Sequence, residues 1–196
     1  GDYNTACGYS ALELNSTGNY NTAIGHKALE ANTTSGNTAC GYYALTANTG
    51  GAGNVGVGAS ALTANTTGAM NTAVGYHALK ASDGDHNTAF GHSALLVNTT
   101  GDNNLAVGRD TLTANTTGSR NVAVGRGALA TNTTSDDNTA VGYEALNVNL
   151  TGVDHVAVGK NALGANTTGS YNVAVGKNAL DASTTSSRNV AVGYDA

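Results

Sequence analysis

The sequence predicts an all-β protein, a parallel β-solenoid wound from one short unit. Three observations predict it: an internal period of 17 residues, a glycine at one fixed place in every unit, and a shortage of large apolar side chains. Ala, Thr, Gly and Asn make up 113 of the 196 residues, whereas Val, Leu, Ile and Phe total 33, about 17%. That share lies below the ~20% at which strongly charged chains are disordered. The net charge here is only −5, too small for repulsion to hold the chain open. Such a chain must pack small residues closely or share a core with other chains.

The units open on Asn at 4, 21, 37, 54, 71, 87, 104, 121, 138, 172 and 189, with His155 in the same place in the tenth. The consensus is N-[T/V]-A-V-G-x-x-A-L-x-A-N-T-T-G-x-x, and positions 1 to 17 below refer to it. Eleven full units and a partial twelfth cover residues 1–196, one domain without a linker. Units 21–36 and 71–86 are one residue short, in or beside the turn. The pattern runs to both ends without an atypical capping unit, so the chain reads as a piece of a longer protein.

Position 5 is Gly in all twelve units, which implies positive φ or a close backbone approach in every coil. Within N-T-A-V-G, positions 2 and 4 share one face and Asn, Ala and Gly share the other, the period of a strand. In A-L-x-A-N, positions 9 and 11 share a face and read as a second short strand, the stretch being too short for a helix. Position 9 is Leu in all eleven units that reach it. N-T-T-G is turn chemistry, because Asn and Thr side chains bond to local backbone and Gly accepts left-handed φ.

Each unit is therefore one coil with two strands and two turns. About twelve coils stacked at ~4.8 Å give a rod of roughly 55 Å. Stacking puts Asn4, Asn21, Asn37 and their successors into a hydrogen-bonded ladder. Position 4 is apolar throughout (Cys7, Ile24, Cys40, Val57, Val74, Phe90, then Val), so with position 2 it forms a stripe long enough to mark an interface. A homotrimer is expected, with this stripe or the Leu column facing the partners. The competing left-handed hexapeptide helix needs three tandem hexapeptides per coil, and only the Val74–Leu79 type fits; a right-handed three-sided helix is the other alternative.

Composition narrows the function classes. There is no basic block, which argues against nucleic acid as a partner. No run approaches ~18 apolar residues, so no segment here inserts into a membrane. Proline is absent and Gly has no three-residue period, which excludes collagen. Catalysis needs unlike residues gathered in one place, and a repeat supplies the same residues everywhere. The five His fall in four columns, no Ser-His-Asp arrangement recurs, and no cofactor or metal is expected. The variant turn Ser82-Asp83-Gly84-Asp85-His86, near His77 and His92, invites a metal reading, but a polar surface turn accounts for it. Cys7 and Cys40 stand where Val usually stands and read as small buried hydrophobes, with a bridge between chains as the alternative. The adjacent Thr rows raise an ice-binding reading, weakened because neighbouring hydroxyls in a turn point differently.

Position 6 is the candidate binding column: Tyr9, His26, Tyr42, Tyr76, His92, Arg109, Arg126, Tyr143, Lys160 and Lys177, continuing to Tyr194 and broken by Ala59. Flat, hydrogen-bonding rings on a rod suit sugars or protein surfaces. The simpler reading is that these side chains lean over the coil edge and shield it.

N-V-A-V-G, as in Asn121–Gly125 and Asn172–Gly176, resembles the N-S-V-A-I-G head repeat of YadA-type trimeric autotransporter adhesins. The fuller phrase Asn71-Thr72-Ala73-Val74-Gly75-Tyr76-His77-Ala78-Leu79 is similar to repeats of phage tail-fibre and bacterial surface proteins. The resemblance covers nearly the whole chain, but the coil here is longer and one residue fewer precedes the Val. It implies a left-handed parallel β-roll, a side-by-side homotrimer, and an extracellular place on a bacterial surface or virion. The expectation is a non-enzymatic structural and adhesive rod that binds an unknown host-surface glycan or protein. The alternative is a binding module acting directly through the position-6 column.

Overall fold

Positions 2 to 4 of each unit form a three-residue strand, from β1 (Thr5–Cys7) to β12 (Val190–Val192), in the computed structural model, which describes residues 1–196. The twelve strands pair in chain order, all parallel and without stagger: Thr5 lies opposite Thr22, Ala6 opposite Ala23, Cys7 opposite Ile24. The result is a parallel β-solenoid of about eleven turns with ~17 residues per turn and no helix.

Alternation along the strand sets what is inside. The central residue is buried in every strand from β2 (Thr22–Ile24) to β11 (Val173–Val175), while its neighbours at positions 2 and 4 point outward and are exposed or half-exposed. The inward Ala packs on the Ala of position 8 and the Leu of position 9, giving one apolar core that runs from Ala23 to Ala179. The Leu side chains from Leu29 to Leu163 are fully enclosed by their own chain. The Leu column therefore cannot face a partner, and only the outward stripe of positions 2 and 4 is left for that role. Cys7 and Cys40 share that stripe. They are free and exposed, against the expectation that they are buried, because position 4 points out of the coil.

The second strand expected in A-L-x-A-N does not form. The Leu of position 9 is left-handed in all eleven coils, with φ between 46° and 54°, and position 7 is left-handed as well, as at Lys27 (58°) and Glu144 (52°). A left-handed residue turns the chain where a strand would carry on. The turn is closed locally by Asn15 N donating to Leu12 O (3.1 Å), and tied to the next coil by Leu12 N donating to Ala28 O (3.1 Å). Holding a non-glycine residue in this conformation costs about 1–2 kcal/mol. Burying the Leu side chain contributes about 1.5–3 kcal/mol. The two nearly offset, so Leu serves to fill the coil while other bonds hold it.

Those other bonds run along the rod. Of 117 backbone hydrogen bonds only 22 lie within the strands, so the corners carry most of the ladder. Asn side chains carry the rest, in two columns. At position 1, each Asn Oδ1 accepts the backbone N–H of the Asn above it, as in Asn37 N to Asn21 Oδ1 (2.8 Å) and Asn54 N to Asn37 Oδ1 (2.8 Å). At position 12, amide bonds amide: Asn48 Nδ2 donates to Asn32 Oδ1 (2.8 Å) and Asn65 Nδ2 to Asn48 Oδ1 (2.8 Å). Both columns also donate to one carbonyl of their own coil, as Asn54 Nδ2 and Asn65 Nδ2 do to Gly68 O (2.8 and 2.9 Å). The inside of the turn is thus polar yet bonded, as burial requires.

The short coils confirm where the missing residue goes. Asn32 reaches Thr34 O two residues on (2.7 Å), whereas Asn65 reaches its carbonyl three residues on. The ladder stays in register because only the outer turn has contracted. Two buried amide oxygens lack a partner, Asn65 Oδ1 and Asn166 Oδ1, and both lie below a coil in which Ser replaces the position-12 Asn, at Ser82 and Ser183.

Gly75 shows why position 5 never varies. Its φ is +138°, and a Cβ there would lie 2.5 Å from Gly91 O of the next coil. Gly75→Ala is expected to destabilise the rod by at least about 2 kcal/mol, through strain and overlap together, read as a fall in Tm by circular dichroism. Ser82→Asn should act the other way, because coil 21–36 has the same length and already holds Asn32 at this place. A new amide bond to Asn65 Oδ1 is expected to add about 0.5–1.5 kcal/mol, measured by denaturant melts.

Candidate functional site: the position-6 column

The glycine at position 5 turns the chain out of the strand, and the next side chain leaves the coil at its edge. Position 6 therefore forms a row down the outside of the rod. Register makes the row regular: Lys27 N donates to Tyr9 O (2.8 Å) and Tyr43 N to His26 O (3.0 Å), fixing each residue over the last. The side chains stack. Tyr9 lies on His26 and His26 on Tyr42, both with centroids 5.3 Å apart, and Tyr76 lies 5.4 Å from His92. Ala59 divides this group from the first, as the sequence implies.

Past His92 the row becomes cationic. The Tyr143 ring lies between the Arg126 guanidinium and the Lys160 ammonium, each 5.6 Å from its centroid. Lys177 Nζ lies 4.7 Å over Tyr194 and donates to its hydroxyl at 3.2 Å. That bond holds the Lys177 ammonium above its usual pKa. Arg109 is the exception in the row, paired with Asp110 (2.9 Å), which also stands 3.8 Å from His92. Apart from the break at Ala59 and the half-buried His26, the column is exposed, as a binding row needs. Its rings also cover one another, as edge shielding needs.

The sequence reading missed position 17, which forms a second outer row. Tyr3 and Tyr20 stack there with centroids 5.0 Å apart and planes 4° from parallel, and Arg188 lies 5.5 Å over Tyr171. The same columnar alignment that picks out position 6 would have found it.

The variant turn at Ser82–His86 is spent on structure. Asp83 accepts from Thr66 N, Thr66 Oγ1 and Thr67 N at 2.6 to 2.9 Å, and Asp85 accepts from Ala69 N at 2.7 Å. Burial pushes the Asp83 pKa up, but these donors outweigh it and hold the carboxyl below its usual range. No three His, Cys, Asp or Glu side chains gather where they could hold a metal ion. Threonine hydroxyls at position 13 are likewise engaged, as Thr99 Oγ1 donates to Thr116 O (2.9 Å) and Thr116 Oγ1 to Thr133 O (3.0 Å). The one depression on the surface is shallow and polar, lined by Glu144, Asn147, Asn161, Gly164, Ala165 and Asp181. No helix is long and apolar enough to cross a membrane.

No family model, curated protein or solved structure matches the chain.

His155 is the buried titratable group of the rod. It replaces Asn in the position-1 ladder and makes the same bonds. Its Nδ1 accepts Asn172 N (3.2 Å) and its Nε2 reaches Gly169 O (2.7 Å), which assigns the proton to Nε2 of a neutral ring. Burial lowers its pKa below the ordinary 6.5. The unfolded chain therefore binds a proton more readily than the folded one. Stability from this residue is fully present above pH ~6.5 and is lost as pH falls toward the folded pKa. His155→Asn should remove this acid-side loss. The expected result is a smaller drop in Tm between neutral and mildly acidic buffer than in the parent protein.

Proposed function

We propose that the chain is a rigid rod segment of a trimeric surface adhesin or phage tail fibre, lying outside the cell or on a virion. In this reading it is a left-handed β-roll, and three copies pack side by side along the stripe of positions 2 and 4. One observation carries the proposal: the outward face of the twelve-stranded sheet is an unbroken row of apolar and Thr side chains, including exposed Ile24, Phe90 and Val156, that one chain leaves uncovered. Soluble monomers rarely expose a contiguous apolar strip of this length. Two partners would cover it, supplying the apolar burial that a chain so poor in large side chains lacks.

The composition supports a structural role, since every coil repeats the same bonds and none gathers unlike groups into a pocket. A second reading, direct binding through the position-6 column, is favoured by the stacked, exposed side chains there.

Light scattering at micromolar concentration is expected to report three times the 19.3 kDa chain mass. Val107→Asp with Val124→Asp, on the outward face of β7 (Leu105–Val107) and β8 (Val122–Val124), should give a folded monomer with an unchanged circular dichroism spectrum. A parent protein that stays monomeric at that concentration overturns the trimer.

A further inference from the structure

The cations of this acidic chain are not spread evenly. Four of its eight Lys and Arg residues, Arg109, Arg126, Lys160 and Lys177, stand in the position-6 column of coils seven to eleven. The same column in the first six coils carries Tyr, His and Ala. Off the column, Lys27 is paired with Glu30 (2.9 Å) and Arg120 with Asp137 (2.7 Å) and Asp136 (3.2 Å); Lys80 and Arg188 are unpaired, but Lys80 is the one cation of its column and Arg188 shares position 17 only with the paired Arg120, four coils away. On the column, Arg109 is paired with Asp110, whereas Arg126, Lys160 and Lys177 make no ion pair. Their position-7 neighbours are Gly127, Asn161 and Asn178, uncharged residues where coils seven and nine have Asp110 and Glu144.

Folding alone does not require this arrangement. Tyr and His fill the same place in the first half of the rod, and stacking ammonium groups on successive coils, at a backbone spacing of ~4.8 Å, is mildly repulsive. A line of unpaired, exposed, like charges one or two coils apart matches a linear ligand that carries opposite charges along its length. We infer that Arg126, Tyr143, Lys160, Lys177 and Tyr194 form a docking strip for a linear acidic polysaccharide, its carboxylates or sulfates lying along the cations. Asn161 and Asn178 flank the strip with their amides engaged along the row, Asn161 Nδ2 donating to Asn178 Oδ1 (3.4 Å) and Asn178 Nδ2 to Asp195 Oδ1 (2.8 Å), so the cations carry the binding. Single-stranded nucleic acid is the less suitable polyanion. It needs open aromatic faces for its bases, and both faces of Tyr143 are already covered by Arg126 and Lys160.

This inference rests on the adhesive reading of the rod but not on its trimeric state, which light scattering reports separately. The test measures binding of the full chain to alginate, a polyuronate, and to heparin, with neutral dextran and an oligodeoxythymidylate of matched charge as comparisons. Binding to both acidic polysaccharides is expected, weakening steeply with salt, with none to dextran. Lys160→Gln with Lys177→Gln should lower affinity about tenfold while circular dichroism and Tm stay unchanged. A third protein adds Asp2→Asn and Glu13→Gln to that pair, restoring the parent net charge far from the strip; it should remain equally weak. Full recovery in this charge-matched protein would show that net charge alone drives binding and would overturn the strip. Tighter binding to the oligodeoxythymidylate than to either polysaccharide would overturn the ligand class.

Discussion

Adjacent coils are hydrogen-bonded at the spacing of paired strands, ~4.8 Å, and the rest of the molecule follows from that distance. At such a separation the backbone of one coil touches the next around the whole turn. At position 5, where φ is positive and a Cβ would overlap the backbone of the next coil, the column is glycine without exception. Where the coil interior is widest, one side chain must fill it, and the enclosed Leu does so at the cost of a left-handed backbone. Where neither packing nor backbone bonding suffices, the two Asn columns close the remaining donors and acceptors. Composition is thus a result of spacing: small residues where coils touch, amides where they bond, and a single large apolar side chain where there is room.

Much of this was legible in the sequence because each requirement is repeated a dozen times. Period, strand position, the glycine constraint and the position-1 Asn ladder could all be read from columns. What could not be read was the path of the chain through A-L-x-A-N. Leu at φ near 50° breaks the usual preference for Gly or Asn in that conformation, so no residue announces the turn. Alternation of Leu and Ala imitates a strand, and only the fold shows that Leu points inward because the backbone has reversed. The exposure of Cys7 and Cys40 was missed for a related reason: position 4 is apolar by type yet faces out. Hydrophobic character in a thin coil does not tell inside from outside as it does in a thicker protein.

The candidate column was visible as a list of residues but not as a surface. The sequence shows Tyr, His, Arg and Lys in one register; the fold adds that the rings stack on one another and that Tyr143 is enclosed by cations. It also separates charges bonded within the chain from charges that are not, which spacing alone does not do. His155 illustrates the same gain. As a letter it breaks the Asn series, and as a side chain it continues it, because an imidazole with one protonated nitrogen offers a donor and an acceptor much as an amide does.

The two short coils have a further consequence. Units of 16 and 17 residues each occupy one step of the sheet, and the strands after them remain in register with those before. Distance along the axis is therefore set by the number of turns and is indifferent to how many residues a turn contains. Duplicating or deleting a unit in the gene would change the length of the rod in whole steps while leaving every junction as it was. Residues gained or lost within a corner would alter only its outline. Such a polymer works as a ruler with fixed graduations, on which length and surface chemistry can evolve separately.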